Sequence, residues 1–101
     1  MKVLNAHGKA FHNNASSQYV GRPHILGNPF KIGPDGNRTE VIAKYKRYFW
    51  ERVNTDEEFL TAALDVAGKD LWCWCAPLAC HADVIVAWHK AGCPLKEVSD
   101  G

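Results

Sequence analysis

The sequence predicts an α/β domain in which a small, mainly parallel sheet of three or four strands is covered by about three helices. Short apolar segments alternate along the chain with longer segments of helical periodicity, which is the pattern of this fold class. The strongest strand candidate also lies between two helices, as expected where crossover helices connect parallel strands. The 101 residues suit a single domain that spans the whole chain.

Three segments have the composition of strands. Residues 2–5 and 18–21 are short candidates, and residues 70–75 form the best one because they are apolar, follow a helix and end near Pro77. The polar segment 7–17 is predicted to be a loop. The segment 23–36 holds three prolines and three glycines, so we predict a structured loop there as well.

Three other segments have helical periodicity. The first begins at Asn37, which forms a capping box pattern with Glu40, and continues to Val53. The second is predicted to begin at Thr55, with Glu58 as the reciprocal cap. Its predicted apolar face consists of Phe59, Leu60, Ala63, Leu64 and Ala67. The third runs from about residue 79 to 91, with an inward stripe of Val84, Ile85, Trp88 and Ala91. The tail 96–101 is expected to fray.

The composition excludes several broad classes of function. The net charge of +1 gives no general case for binding nucleic acid or a membrane surface. No apolar run approaches the roughly 18 residues that span a bilayer. The polar N-terminus also lacks the apolar core of a signal peptide. We therefore expect a soluble, cytoplasmic protein with reduced thiols.

Any chemistry is expected to centre on the segment Cys73-Trp74-Cys75-Ala76-Pro77-Leu78-Ala79-Cys80-His81-Ala82-Asp83. It combines a strand end, a turn and the start of a helix, where backbone N–H groups and the helix dipole favour negative charge. Cys80 is thus one candidate catalytic residue, a nucleophile with a lowered pKa. His81 would be its base, and Asp83 would orient His81 or a ligand.

Two other interpretations of the same segment stay open. Cys73, Cys75, Cys80 and His81 could bind zinc through three sulfurs and one nitrogen, since Cys73 and Cys75 would share one face of a strand. The spacing differs from the usual paired C-x2-C pattern of such sites. Alternatively, the cysteines are small buried side chains and His81 is an ordinary polar residue of a first helical turn.

The loop after the second strand is the other candidate for ligand binding. Arg22 could bind a carboxylate or phosphate, Asn28 could bond to a base or ribose, and Lys31 adds a second positive charge. Gly27 permits the close approach of a ligand or a positive φ. The simpler alternative is a rigid turn in which Asn28 bonds to its own backbone. Both candidate segments follow strand ends, so a parallel sheet would bring them to one edge.

These motifs resemble a known family. Tyr19-Val20-Gly21-Arg22-Pro23, Leu26-Gly27-Asn28-Pro29-Phe30, Cys73-Trp74-Cys75-Ala76-Pro77 and Cys80-His81-Ala82-Asp83 together look like the domain-of-unknown-function family numbered 4326. The resemblance covers about residues 2–92. It implies a protein of bacterial or phage genomes, in which both motifs belong to one site, and it carries no activity with it.

Three hypotheses of function follow. The first is a site for a small anionic ligand, such as a nucleotide or another phosphate compound, held by Arg22, Asn28 and Lys31 together with the helix start at Cys80 and His81. The second is a structural zinc module. The third is a phage-type protein that binds a host protein through the exposed face of the first helix, with Lys44, Arg47 and Arg52 as the candidate contacts.

Overall fold

The fold is an α/β arrangement with a parallel sheet, as predicted. The computed structural model describes residues 1–6, 16–74 and 78–95. Within these ranges the elements are β1 (Val3–Asn5), β2 (Ser17–Tyr19), α1 (Arg38–Thr55), α2 (Glu57–Asp65), β3 (Asp70–Cys73) and α3 (Ala82–Lys90). The sheet was predicted to have three or four strands, and in the described residues it has three.

Some predictions concern residues outside the described ranges. They are the predicted loop over most of residues 7–17, the predicted orientation of Cys75, and the predicted fraying of the tail 96–101. At the end of that loop, Ser17 is the first residue of β2 and is buried, so the strand begins one residue earlier than predicted. The third strand ends at Cys73, two residues before the predicted end.

The sheet has the order β1-β3-β2, and both strand pairs are parallel. Asn5 at the end of β1 pairs with Cys73, and Tyr19 at the end of β2 pairs with Trp72. The amide of Val20 extends the second ladder by donating to the carbonyl oxygen of Trp72 at 3.0 Å. The three carboxyl ends therefore meet at one edge of the sheet, the usual place for a binding site in parallel α/β folds.

The core fills the space between the central strand and the three helices. Rings from different helices meet edge to face there, with centroids 5.5 Å apart for Phe49 and Phe59 and 5.3 Å apart for Phe49 and Trp88. Such ring pairs add about 0.5–1.5 kcal/mol each beyond their buried area. The largest fully buried side chains are Tyr45, Phe49, Phe59, Leu26, Leu71, Ile85, Val20, Val66 and Cys73.

The helix boundaries follow from capping. The predicted capping box of α1 is confirmed: the Asn37 side chain accepts from the Glu40 amide, and the Glu40 carboxylate accepts from the Asn37 amide. The predicted start of the second helix is wrong. Thr55 is the last residue of α1, and the cap of α2 is Asp56, whose carboxylate accepts from the amides of Glu58 and Phe59. No helix among the described residues is long and apolar enough to cross a membrane.

Two predicted helix faces also need correction. On α2, Phe59 and Ala63 are buried, whereas Leu64 is 45% exposed, because the chain turns back after Asp65 and buries Val66 instead. The third helix begins at Ala82, three residues later than predicted. Its inward side consists of Ala82, Ile85 and Trp88, and Ala91 is exposed.

Candidate ligand-binding site

A cavity of about 470 Å³ lies at the edge where β2 and β3 end. Arg22, Asn28 and Lys31, from the loop after β2, line one side of it. Cys73, Cys80 and His81, from the end of β3 and the approach to α3, line another. The parallel sheet thus brings together the two segments that the sequence analysis singled out, and the start of α1 completes the wall.

The loop after β2 is held in place by a buried hydrogen bond. The Tyr45 hydroxyl on α1 donates to the carbonyl oxygen of Leu26 at 2.6 Å, and neither side chain is exposed. Burial raises the pKa of Tyr45 well above its usual range, so the phenol stays a donor. The amide of Leu26 donates to Nδ1 of His24 at 3.0 Å. The loop is therefore a rigid wall of the cavity.

Gly27 allows this loop to fold back on itself. A Cβ atom built there would lie 2.9 Å from the backbone nitrogen of Arg22 and 3.0 Å from the carbonyl oxygen of His24. Its amide donates to that same His24 carbonyl at 2.8 Å. The φ of Gly27 is not positive, so that predicted use is wrong, and the group that approaches it closely is the protein's own backbone. The close approach of a ligand stays a prediction.

Asn28 has a positioning role. Its Oδ1 accepts from the amide of Phe30 at 2.9 Å, which is the predicted turn, and its Nδ2 donates to the carbonyl oxygen of Val41 at 3.3 Å. Both functional groups of the side chain are thus engaged within the fold. Asn28 ties the loop to α1 and leaves ligand binding chiefly to its charged neighbours.

Positive charge dominates the polar lining of the cavity. Arg22, Lys31 and Arg38 all line it, and none of the described lining residues is acidic. Arg22 and Arg38 donate only to carbonyl oxygens, of Asn28 at 3.4 Å and of Ala79 at 3.0 Å. Within the described ranges the observed ion pair, Arg52–Asp56, lies elsewhere. Each cationic side chain can therefore still bind an anion.

The start of α3 is capped by its own side chains. Asp83 accepts from the amide of Cys80 at 3.0 Å, and the sulfur of Cys80 accepts from the amide of Ala82 at 3.4 Å. This reciprocal pair resembles a capping box, but it begins at Cys80, one residue before the N-cap His81, which makes no side-chain capping bond, and the thiol accepts from the second residue along the chain where a capping box uses the third. The amides of Cys80 and Ala82, which were candidates for anion binding, already have partners, and Asp83 has a capping role.

The sulfurs of Cys73 and Cys80 are in contact, with Sγ atoms 2.8 Å apart. Both residues are buried, at 1% and 2% exposure. The contact with Cys73, followed by burial, raises the pKa of the Cys80 thiol far above its usual range. The prediction of a lowered Cys80 pKa is therefore wrong, because the neighbouring thiol and the lack of solvent outweigh the helix dipole.

His81 is buried and bonded at one ring nitrogen. Its Nε2 lies 2.7 Å from the carbonyl oxygen of Val20, and its ring meets that of Tyr45 edge to face at 5.0 Å. Burial lowers the pKa of His81, which favours the neutral ring. No hydrogen bond between His81 and Cys80 is observed in the described structure, and the Cys80 sulfur contacts that of Cys73.

The four predicted zinc ligands are only partly brought together. Cys73 and Cys80 touch, whereas the Nε2 of His81 is directed at Val20. The described parts of the chain contain no group of three or more residues able to hold a metal ion. Cys75 lies outside the described residues.

Much of the cavity wall comes from the motifs on which the family resemblance rests, including Arg22, Asn28, Cys73, Cys80 and His81. A family model with the description domain of unknown function (DUF4326) matches residues 3–91. The chain belongs to the DUF4326 family. No curated protein and no solved structure matches the chain.

The DUF4326 domain also has an aromatic corner at its cavity that the sequence analysis did not identify. The Tyr19 hydroxyl accepts from Nε1 of Trp74 at 2.7 Å and donates to the carbonyl oxygen of Arg22 at 2.8 Å. Gly21 makes room for it, since a Cβ there would lie 2.3 Å from that hydroxyl oxygen. The sequence signal for this contact was Gly21, two residues after the strand residue Tyr19, because a glycine there leaves room for the tyrosine ring.

Arg38 is the other site residue that the sequence analysis missed. It is the first residue of α1, and its guanidinium reaches the backbone of Ala79, 41 residues away. Nothing in the sequence signals this contact. It depends on the packing of α1 beside the approach to α3.

The exposed face of α1 is less available than predicted for a protein partner. Lys44 donates to the carbonyl oxygen of Asp35 at 2.7 Å. The Arg52 guanidinium lies 4.9 Å from the ring centre of Phe59 and pairs with Asp56 at 2.6 Å. Of the three candidate contacts, Arg47 is exposed and makes no hydrogen bond or ion pair with the described residues.

Proposed function

We propose that this DUF4326 domain binds a small phosphate-containing ligand of the nucleotide class in the cavity at the sheet edge. The observation that carries the proposal is the lining: Arg22, Lys31 and Arg38 face one space, and no described residue of its wall is acidic. Guanidinium and ammonium groups bind phosphate oxygens through charge-assisted hydrogen bonds, which are stronger than neutral ones.

The size and the apolar part of the cavity favour a nucleotide over a bare phosphate ion. Small-molecule sites typically measure about 300–1,000 Å³, and the cavity of about 470 Å³ falls within that range. Its wall also includes Tyr19, Phe30, Val41 and Ile42, which offer contact to an organic ring. The arrangement suits a ligand with one flat organic part and one anionic part.

The proposed role is binding, with the Cys80–His81 segment as part of the wall. The raised pKa of Cys80 argues against a thiolate nucleophile at neutral pH. The lowered pKa of His81 and its bond to Val20 favour a neutral ring that fixes the cavity wall. The cationic side chains, which come from the loop and from α1, would supply the charge that the ligand requires.

Thermal-shift measurements followed by calorimetry test the proposal. The probes are inorganic phosphate, pyrophosphate, AMP, ADP, ATP and uncharged adenosine. We expect the phosphorylated compounds to raise the melting temperature, adenosine to have a much smaller effect, and the affinity to fall as salt is added. If no phosphate compound raises the melting temperature, the proposal is wrong.

Charge removal provides the matched test. Lys31→Ala should weaken binding of the best phosphate compound by about tenfold or more, since a charge-assisted hydrogen bond contributes about 1.5–3 kcal/mol. Arg47→Ala removes the same charge from an exposed site that does not line the cavity. Equal affinities for the two variants would contradict the assignment of the cavity.

A structural zinc module is the second candidate, and the contact between the Cys73 and Cys80 sulfurs favours it. Two adjacent cysteine sulfurs can supply half of a tetrahedral zinc site. Elemental analysis of protein purified without added metal tests it, with Cys93→Ser as the control variant. About one zinc per chain, lost on Cys73→Ser but kept in the control, would support the module. Fully folded protein without metal would reject it.

A further inference from the structure

We propose that Cys73 and Cys80 form a redox-sensitive dithiol that closes into a disulfide at the wall of the cavity. Their Sγ atoms are 2.8 Å apart, and both side chains are buried. Both residues also line the cavity, which opens a route for a small oxidant to a pair that is otherwise enclosed by protein. Cys93, the third described cysteine, is bonded to His89 instead.

The positions of the two cysteines favour closure. Cys73 is the last residue of the central strand, and Cys80 lies two residues before α3, where its amide donates to Asp83 of the first helical turn. Each sulfur is therefore attached to a part of the chain that hydrogen bonds hold in place. A disulfide bond requires sulfurs about 2.05 Å apart. The sulfurs already point at each other, so closure requires a small side-chain shift and no rearrangement of the elements.

The reaction is a two-electron thiol–disulfide exchange. One cysteine sulfur, as the thiolate, attacks a small-molecule disulfide such as oxidised glutathione, forms a mixed disulfide and releases one thiol. The second sulfur loses its proton and attacks the cysteine sulfur of the mixed disulfide, which expels the second small thiol. The pair loses two protons and two electrons, and the oxidant becomes two thiols. The high pKa of Cys80 makes this exchange slow at neutral pH and faster as pH rises.

Closure would connect two walls of the cavity covalently. Trp74 directly follows Cys73, and His81 directly follows Cys80, and both of these neighbours line the cavity. The bond would fix the end of β3 against the start of α3, and the reduced protein holds the same junction by noncovalent contacts alone. The oxidised form should therefore be the more rigid one, which makes the junction respond to the redox state of its surroundings.

The experiment uses the full chain with Cys75→Ala and Cys93→Ala, so that only the proposed pair can form an intramolecular disulfide. The reduced protein is incubated with oxidised glutathione, with and without a metal chelator, and free thiols are then alkylated. Intact mass gives the redox state. A parallel sample of the native chain, which keeps all four cysteines, is oxidised in the same way and digested with chymotrypsin, which cleaves after Trp74 and Leu78. The disulfide-linked peptides show which cysteines are joined. Cys80→Ala in the same background is the control that cannot close.

The expected result is a mass loss of about 2 Da, the mass of two hydrogen atoms, with neither cysteine alkylated and the change reversed by dithiothreitol. The melting temperature should rise by several degrees on closure, as expected when a short loop is cross-linked. The proposal is overturned if both thiols stay alkylatable with and without the chelator. It is equally overturned if the native chain joins Cys75 to either partner instead, or if closure leaves the melting temperature unchanged. None of these results depends on whether the cavity binds phosphate.

Discussion

Nε2 of His81 lies 2.7 Å from the carbonyl oxygen of Val20, and this hydrogen bond joins the start of α3 to the end of β2. A carbonyl oxygen can only accept, so Nε2 carries the hydrogen and donates it. Because burial lowers the pKa of His81, its Nδ1 stays unprotonated at neutral pH. Protonation of this ring would place an uncompensated charge beside buried aromatic side chains.

Stability should therefore fall in mildly acid solution. The folded-state pKa of His81 lies below its unfolded value near 6.5, so the unfolded chain binds more protons as pH decreases. The loss begins as pH falls through about 6.5 and ends below the folded-state pKa. The hydrogen bond to Val20 and the charge of Asp83 oppose this lowering of the pKa, and the charges of Arg22 and His24 add to it. Urea unfolding at pH 7.5 and at pH 5 would measure the loss in the free energy of unfolding, because both are about one unit or more from the unfolded-state pKa near 6.5.

Two variants separate the histidines. His81→Gln keeps a donor for Val20 but cannot titrate, so the free energy of unfolding should depend less on pH. His24→Gln serves as the comparison, because burial also lowers the pKa of His24, which is only half-buried. An unchanged pH dependence in His81→Gln would show that the pKa of His81 is not shifted.

Removal of the Asp83 carboxylate should uncap α3. Asp83→Ala leaves the amide of Cys80 without its acceptor, and loss of such a cap typically costs about 1 kcal/mol. Asp65→Ala removes the same charge from the end of α2, where the helix dipole disfavours a carboxylate, so it should be neutral or slightly stabilising. Equal effects of the two variants in urea unfolding would argue against the cap.

Substitution of Gly27 should be costly although its φ is not in the left-handed region. In Gly27→Ala the added methyl group meets backbone atoms of Arg22 and His24, which cannot rotate away, and overpacking of this kind costs about 1–3 kcal/mol. At an uncrowded site the same change would stabilise by about 0.4–1 kcal/mol. A lower free energy of unfolding in Gly27→Ala would therefore support the tightly closed loop, and a higher one would contradict it.

The Tyr45 hydroxyl should matter for both stability and ligand binding. Tyr45→Phe leaves the buried carbonyl oxygen of Leu26 without this donor, at an expected cost of about 1–3 kcal/mol. Because the bond fixes the loop that carries Arg22 and Lys31, the affinity for phosphate compounds should fall too. Tyr48→Phe, which removes a more exposed hydroxyl bonded to Arg52, is the control. Lower stability with unchanged affinity would show that the loop does not depend on this bond.

Sequence patterns predicted the fold where local chemistry determines it. The capping box at Asn37 and Glu40 and the turn at Asn28 depend on residues close in the chain. The parallel sheet pairs distant segments, and the alternation of short apolar and helical segments along the chain predicted it. The start of α2 could not be decided in this way, because Thr55 and Asp56 are both good capping residues. Arg52, one helical turn earlier, binds the Asp56 carboxylate and so favours the second of them.

The site was predictable in location but not in chemistry. Strand ends in a parallel sheet meet at one edge, so the two motifs could be expected to approach each other. The lowered pKa expected for Cys80 failed because its contact with Cys73 depends on how β3 and α3 pack, which spacing does not reveal. The reach of Arg38 to Ala79 is likewise a tertiary contact without a local signal.

The strand order has a consequence for synthesis of the chain on the ribosome. Among the strands that the structure describes, both outer ones pair with β3, which is translated after them. A nascent chain that ends before Asp70 holds β1, β2 and two helices, yet it has no native partner for either strand. The sheet edge, and the cavity upon it, can form only after β3 has been made, so a product truncated before Asp70 holds Arg22, Lys31 and Arg38 without the sheet that positions them.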